Sequence, residues 1–272
     1  MSNSVPGRGQ AKEGKPAPLQ TKHTAGPALS LQGVGRRFGG VEAVRDVTLD
    51  IAYGERRVVL GPNGAGKSTL FNLIAGEFRP TSGKVILFGE DVTHHSAQYR
   101  ARHGLTRTYQ TAHLFNGLST LDNLFLAVRG VVPRRMSMLR PNTNDQYLVQ
   151  ARQVAAQVGL EAVLDTKVGT LSHGVQRQLE LGMALAGKPR MIMLDEPAAG
   201  LSQGERGRLT ELLQALDPAI TVLLIEHDMD VALQVAQLVT VMHNGRLIVN
   251  GTPDEIRTSQ TVHELYLGDH HA

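Results

Sequence analysis

The period of apolar and polar positions changes along this chain, and the changes divide it. Residues 1–28 mix Gly, Pro, Ser, Lys and Gln without any period, a composition that cannot bury enough surface to order itself. They are expected to form a disordered tail. From Ala28 the pattern turns to strands, with period-two alternation in Val47-Thr48-Leu49-Asp50-Ile51 and a turn-forming Gly39-Gly40 upstream. This predicts an antiparallel β-element ahead of the main fold. Val58-Val59-Leu60 is a short apolar run of the buried-strand type. It leads into Gly61-Pro62-Asn63-Gly64-Ala65-Gly66-Lys67-Ser68-Thr69, after which Leu70, Phe71, Leu73 and Ile74 follow helical spacing.

Between about residues 112 and 188 the strand signals fade. Helical stretches at 121–128 and 145–158 surround a Pro- and Arg-containing segment at 132–141, predicting an inserted α-helical subdomain. Two more apolar runs, 191–194 and 221–225, are separated by a helical stretch at 203–216. That alternation is the one a parallel sheet with crossover helices requires. Asn244-Gly245, between apolar runs at 238–243 and 246–249, predicts a two-residue hairpin, because both central positions of a type I′ turn need φ > 0. The expectation is therefore an α/β domain over 29–268, followed by a short tail at 269–272.

Composition narrows the possibilities. With 272 residues and 41% hydrophobic content, one large α/β domain, or one with a subdomain, can bury a core, while two full domains would be cramped. A formal charge of +3 over 25 acidic residues gives no argument for nucleic acid, although the pI of about 9.3 suits an anionic membrane face. Cysteine is absent, which removes disulfides, thiolate metal sites and thiol catalysis. No run approaches the roughly 20 apolar residues needed to span a bilayer, so any spanning part is expected on another chain. The N-terminus has no run resembling a signal peptide, and export is not expected. The adjacent histidine pairs His94-His95 and His270-His271 lack a third ligand at recognisable spacing.

The chemistry concentrates in three places. Residues 61–68 match a phosphate-binding loop, in which successive backbone N–H groups and a helix N-terminus converge on anionic oxygens and glycines allow the close approach. Lys67 is placed for the β- and γ-phosphates and the Ser68 hydroxyl for Mg²⁺; the bland alternative is a glycine-rich turn holding a lysine by chance. Met191-Ile192-Met193-Leu194-Asp195-Glu196 is an apolar strand ending in two carboxylates. Asp195 suits a metal and Glu196 a general base polarising water, unless the pair is a surface acidic turn. Leu171-Ser172-His173-Gly174-Val175-Gln176 opens a helical run, so Ser172 and the N–H groups after it form a second positive helix end, or simply a Ser-capped helix.

The order of 61–68, Gln110, Ser172 to Gln176, Asp195-Glu196 and His227 resembles the ABC (ATP-binding cassette) ATPase family, and the motifs span nearly all of residues 29–251. The resemblance implies a P-loop NTPase (RecA-like) parallel-sheet core with an N-terminal antiparallel β-subdomain and an inserted α-helical subdomain. It implies ATP and Mg²⁺ as ligands. Two cassettes would meet head to tail, with Ser172, His173, Gly174 and Val175 of one chain at the γ-phosphate held by Lys67 of the other. It further implies that Phe38 stacks on adenine, that Gln110 senses Mg²⁺ and the attacking water, and that His227 contacts the γ-phosphate. Taken alone, these three would be a core phenylalanine, a surface glutamine and a structural histidine. His173 and Val175 replace residues commonly Gly and Gln in the signature, and Ser202 stands where the loop after Glu196 often has Asp.

Arg107-Thr108-Tyr109-Gln110 with Leu114-Phe115, Leu121-Asp122-Asn123-Leu124, Pro197-Ala198-Ala199-Gly200-Leu201, and Gly251-Thr252-Pro253 with Tyr266-Leu267-Gly268 together look like the branched-chain amino acid importer ATPases. That group includes relatives for urea, short amides and aromatic acids, so the cargo is not readable here. The resemblance implies integral-membrane permease subunits, a second ABC ATPase (an identical copy or a sibling) and, indirectly, a periplasmic solute-binding protein. It implies a peripheral location on the cytoplasmic face of the inner membrane, with residues 111–126 as a candidate strip for the permease. Rivals are a lipopolysaccharide-export ATPase, with a different pair before its glutamine, and a soluble non-transport ABC protein, which would carry a coiled-coil insertion or tandem cassettes.

Overall fold

The computed structural model of the protein describes residues 26–108, 114–130 and 145–268. Gln110, the segment at 132–141 and His270-His271 lie outside the described residues. Strands β1 (Leu29–Phe38) and β2 (Val41–Ile51) pair antiparallel about the Gly39-Gly40 turn. After β3 (Arg56–Leu60), β4 (Ser82–Leu87) and β5 (Glu90–Asp91) rejoin them in a sheet of order β2-β1-β4-β5. The second sheet adds β6 (Leu105–Arg107), β7 (Met191–Asp195), β8 (Thr221–Ile225), β9 (Leu238–His243) and β10 (Arg246–Gly251), in the order β10-β9-β3-β8-β7-β6. It is parallel from β9 to β6, and only β10 turns back on its neighbour. The turn between β9 and β10 has positive φ at both Asn244 (48°) and Gly245 (79°), as the hairpin signal requires.

Helices α1 (Lys67–Ala75) and α2 (Ala97–Arg102) follow β3 and β5. Between β6 and β7 lie α3 (Thr120–Gly130), α4 (Gln146–Gln157) and α5 (His173–Leu185), with no strand element among the described residues of that stretch. Helices α6 (Gln203–Gln214) and α7 (Met229–Val235) separate the later strands, and α8 (Pro253–Thr258) and α9 (Gln260–Gly268) close the chain.

Strands β7 and β8 are buried at every position, which is why they read as continuous apolar runs. Their period-two alternation still matters, because it feeds two cores. Ile192, Leu194, Val222 and Leu224 pack with Leu124, Val154, Leu179 and Leu213 from the helices of one face. Met191, Met193, Leu223 and Ile225 pack with Phe71 and Ile74 of α1 and with Leu29, Leu31 and Val47 of the antiparallel sheet. Each fully buried aliphatic side chain contributes roughly 1.5–3 kcal/mol, so the parallel sheet is fixed from both sides and its strand ends form a rigid edge. Behind α1, the fully buried Arg100 donates to the carbonyls of Leu73, Ile74 and Val92 at 2.6–2.7 Å, satisfying the helix end that Gly76 terminates. His95 is absorbed in a stack on Tyr99, with ring centroids 3.9 Å apart.

Candidate functional site

The segments singled out for their chemistry emerge from adjacent parallel strands at one edge of the sheet. Residues 61–68 follow β3, Asp195-Glu196 ends β7, and His227 follows β8. The register aligns them, since Ile225 faces Val59 on one side and Asp195 on the other. The crevice beyond the carboxyl ends of parallel strands is where α/β folds bind ligands.

The loop at 61–68 is built by glycine geometry. Gly61 has φ 148° and Gly66 φ 102°. A Cβ on either would lie 2.2 Å from the Met242 carbonyl oxygen or 2.4 Å from that of Ala43, so β9 and β2 clamp the loop from two sides. The β9–β10 turn adds a bond from Gly245 N–H to the Ala65 carbonyl at 2.9 Å, and is held in turn by Arg45 N–H at 2.8 Å. Helix α1 then starts at Gly66 with no side-chain cap and no acidic residue in its first turn. Its leading N–H groups are thus left for an external anion. The buried Lys67 ammonium donates to the Gly61 carbonyl and, at 2.9 Å, to that of Pro62. Burial lowers its pKa, while the negative charges of Glu196 and Asp195 act the other way. Ser68 and Thr69 occupy the first turn beside it.

Asp195 is buried, and Arg107 at the end of β6 donates to its Oδ2 at 3.0 Å. Its Oδ1 is buried without a hydrogen-bond partner among the described residues. Burial raises the Asp195 pKa, opposed by the Arg107 bond. The same guanidinium reaches Asn72 Oδ1 on α1 and lies 3.6 Å from Glu77. Arg107 thereby ties the acidic strand end to the helix that begins the phosphate loop, a role its appearance beside Gln110 did not reveal. Glu196 sits at φ 48°, a conformation that costs a non-glycine residue about 1–2 kcal/mol and turns its carboxylate out of the strand. Its Oε1 lies 3.6 Å from His227 Nδ1.

Directly before His227 in the chain stands Glu226, fully buried. One oxygen accepts from Ala198 N–H at 2.9 Å, and the other from His227 and Asp228 N–H groups at 3.2 and 3.4 Å. Burial raises its pKa against those bonds. It joins the loop after Glu196 to the loop carrying His227, and no sequence spacing pointed to it.

Phe38 is not a core side chain. At the end of β1 it is 41% exposed, held edge-on to Phe78 at 5.5 Å, with the Arg36 guanidinium 4.6 Å from its ring centre. Val41, its partner in β2, is two residues from Ala43, whose carbonyl presses on Gly66, so the strand end that carries this ring pairs with the β2 segment next to the phosphate loop.

Ser172 caps α5, accepting from Val175 N–H at 3.4 Å. Among the described residues, this helix end turns to a different partner from the chain's own phosphate loop. It bonds Glu205 in the first turn of α6: Ser172 Oγ and Gly174 N–H both donate to Glu205 Oε1, at 3.2 and 3.0 Å. His173 lies against Gly200, while Val175 packs partly buried against the larger core. The structure therefore brings together Lys67, Asp195, Glu196 and His227, and sets Ser172 to Val175 beside the loop that follows them. Glu205 carried no signal beyond its place three residues after Ser202, the spacing of a capping box.

Residues 44–199 match the ABC transporter family. The chain is 35% identical over 251 residues to the high-affinity branched-chain amino acid transport ATP-binding protein BraF of Pseudomonas aeruginosa, an alignment covering 89% of this chain and 98% of BraF. It is 34% identical to the corresponding LivG protein of Escherichia coli, with the same coverage. Among solved structures, the ADP conformation of MJ1267, an ATP-binding cassette of an ABC transporter, superimposes with a TM-score of 0.78 at 28% identity, covering 89% of this chain and 98% of that one.

Proposed function

This chain belongs to the ABC transporter family and is an ATP-binding subunit of it, and we propose that it powers the import of branched-chain amino acids or related small solutes by Mg²⁺-dependent ATP hydrolysis. The observation that carries the chemical part is the meeting of Lys67, Asp195 and Glu196 at one strand edge, in front of an uncapped helix N-terminus. The solute class follows BraF and LivG, whose names state branched-chain amino acid transport.

In this reading the α1 N-terminus and the loop N–H groups from Asn63 to Thr69 cradle the phosphates, and Lys67 exchanges its two loop carbonyls for β- and γ-phosphate oxygens. Phe38 offers its exposed ring to the adenine. Glu196 orients the attacking water and takes up its proton, and His227, 3.6 Å away, steadies that carboxylate and the γ-phosphate. Developing charge on the phosphate oxygens is stabilised by Lys67 and by the helix end. A divalent cation fits these residues: the unpartnered buried Oδ1 of Asp195 and the Ser68 hydroxyl are oxygen donors of the type Mg²⁺ takes along with substrate phosphates. Among the described residues no group of three His, Asp or Glu could hold a metal unaided, which suits a cation arriving with the nucleotide. When bound, that cation would neutralise charge on the phosphates. Gln110 completes the proposed set from outside the described residues.

Ser172 to Val175 would serve the nucleotide of a second cassette, a copy or a sibling, so ATP closes a dimer and hydrolysis opens it. No helix among the described residues is long and apolar enough to cross a membrane, which accords with permease subunits on other chains and a peripheral place on the cytoplasmic membrane face. Phe115 and Leu118 are exposed. Asn123, which exchanges hydrogen bonds with the Phe115 backbone at 2.9 and 3.2 Å, holds that loop in place. These exposed residues support 111–126 as the permease contact, with Leu121 and Leu124 serving as core beneath. The test is ATP hydrolysis by the purified chain with and without a cognate permease, in detergent. Stimulation by the permease and a leucine-loaded binding protein supports the reading; Mg²⁺-dependent hydrolysis indifferent to both contradicts it.

A further inference from the structure

The signature helix end, proposed above to receive a partner's γ-phosphate, already holds an anion. Glu205 sits at the third position of α6, and its two oxygens divide their work. Oε2 accepts from Ser202 N–H at 3.0 Å and Ser202 Oγ at 2.8 Å, closing the capping box of α6. Oε1 accepts from Gly174 N–H and Ser172 Oγ. Each carboxylate oxygen thus has two donors, which saturates it. Gly174 is what admits this approach, because a Cβ there would lie 2.5 Å from Oε1.

We infer that Glu205 is a positioning residue for the ATPase reaction: it holds the Ser172 and Gly174 donors in the nucleotide-free chain, and gives them up when a γ-phosphate presented by a second protomer takes its place. This rests on the dimer reading above. The same N–H and hydroxyl cannot serve two anions at full strength, and the anions repel one another at hydrogen-bonding distance. Closure of the dimer therefore carries the cost of displacing Glu205. The donors around it, first of all the Ser202 backbone N–H, hold its carboxyl down at about 2, so the competitor is charged at every working pH. The arrangement also accounts for Ser202. A serine at that helix start donates its hydroxyl to Glu205, where an aspartate would set a second carboxylate against it. The neighbouring Arg206 extends the link, donating to the Leu201 carbonyl at 3.0 Å and to Asp228, which caps α7 beside His227, at 2.7 Å. Release of Glu205 at one nucleotide is thereby transmitted to the loop of His227 at the other.

The direction of one effect separates this role from that of an ordinary cap. Loss of a cap makes closure harder; loss of a competitor makes it easier. In a Glu196→Gln parent, which holds ATP unhydrolysed, Glu205→Gln keeps the shape and an acceptor for α6 but removes the charge. The MgATP concentration for half-maximal dimerisation, followed by sedimentation, is expected to fall about tenfold, the worth of one charge-assisted hydrogen bond. MANT-ADP affinity of the monomer stays unchanged. A folded variant that needs as much MgATP as the parent, or more, overturns the inference. If the parent itself fails to dimerise with MgATP, the dimer reading falls and the inference with it. The carboxyl ¹³C resonance of Glu205 in the parent gives a check that needs no substitution there: it moves on MgATP-driven closure and not on ADP binding. A resonance that stays fixed on closure overturns the inference equally.

Discussion

Arg107 donates to Asp195 Oδ2 at 3.0 Å, while Oδ1 of the same buried carboxylate meets no donor among the described residues. Burial raises the Asp195 pKa, and the sign of the linkage follows. Stability from this group is fully present below the usual carboxylate pKa of about 4 and is lost as pH rises through the raised value. Asp195→Asn removes that titration. The apo variant is expected to gain on wild type in melting temperature between pH 4 and pH 7, yet to lose the stabilisation that MgATP gives wild type at pH 7. An equal offset at both pH values would contradict the assignment.

Gly64 and Gly66 allow a paired test of the phosphate loop. Both have positive φ, 77° and 102°, but a Cβ on Gly64 meets nothing within 4 Å, whereas on Gly66 it strikes the Ala43 carbonyl at 2.4 Å. Gly64→Ala is expected to cost about 1–2 kcal/mol in urea unfolding from backbone strain alone. Gly66→Ala adds displacement of β2 from the loop and is expected to cost more, about 3 kcal/mol or above, with ATP binding abolished. Equal costs would show that β2 does not clamp the loop.

Phe38 is exposed enough that its truncation should barely alter folding, while its ring, if it carries the base, contributes about 1–3 kcal/mol of stacking. Phe38→Ala should therefore weaken ATP binding by about 5- to 150-fold at nearly unchanged melting temperature, and Phe38→Tyr should restore it. Titration with a fluorescent ATP analogue measures both. Unchanged affinity in Phe38→Ala would remove the ring from the site.

Glu226 is expected to act through the loops it joins. Glu226→Gln leaves an amide N–H₂ facing backbone donors, at a cost of about 1–3 kcal/mol. It should lower kcat more than it raises KM for ATP, because His227 and Ala198 shift while the phosphate loop does not. A change confined to KM would contradict this.

The features that were legible in the sequence are those written in contiguous residues. The loop at 61–68, the strand ending in Asp195-Glu196 and the Asn244-Gly245 turn each carry their conformational demand within a few positions. Strand β4 was missed because its first half is exposed and polar, which leaves no alternation to read, and β6 because it has three residues. The partners of the site were hidden by distance along the chain. Arg107 stands 88 residues before Asp195, and Glu205 stands 31 after Gly174; each ordinary charged residue gains its role only where strands or helices bring it beside an unpaired group. Phe38 shows the converse, since its exposure in the fold distinguishes it from a core ring and its sequence does not.

In the proposed reaction Glu196 activates water for hydrolysis of ATP held between two cassettes. Its most direct test is Glu196→Gln assayed for hydrolysis and run on a sizing column with and without MgATP. The expected result is a fall in kcat of about 10²- to 10⁴-fold, the usual worth of a general base, with a stable dimer that forms with MgATP and not with MgADP. A variant that hydrolyses at near the wild-type rate, or that binds MgATP and stays a monomer, would contradict the account.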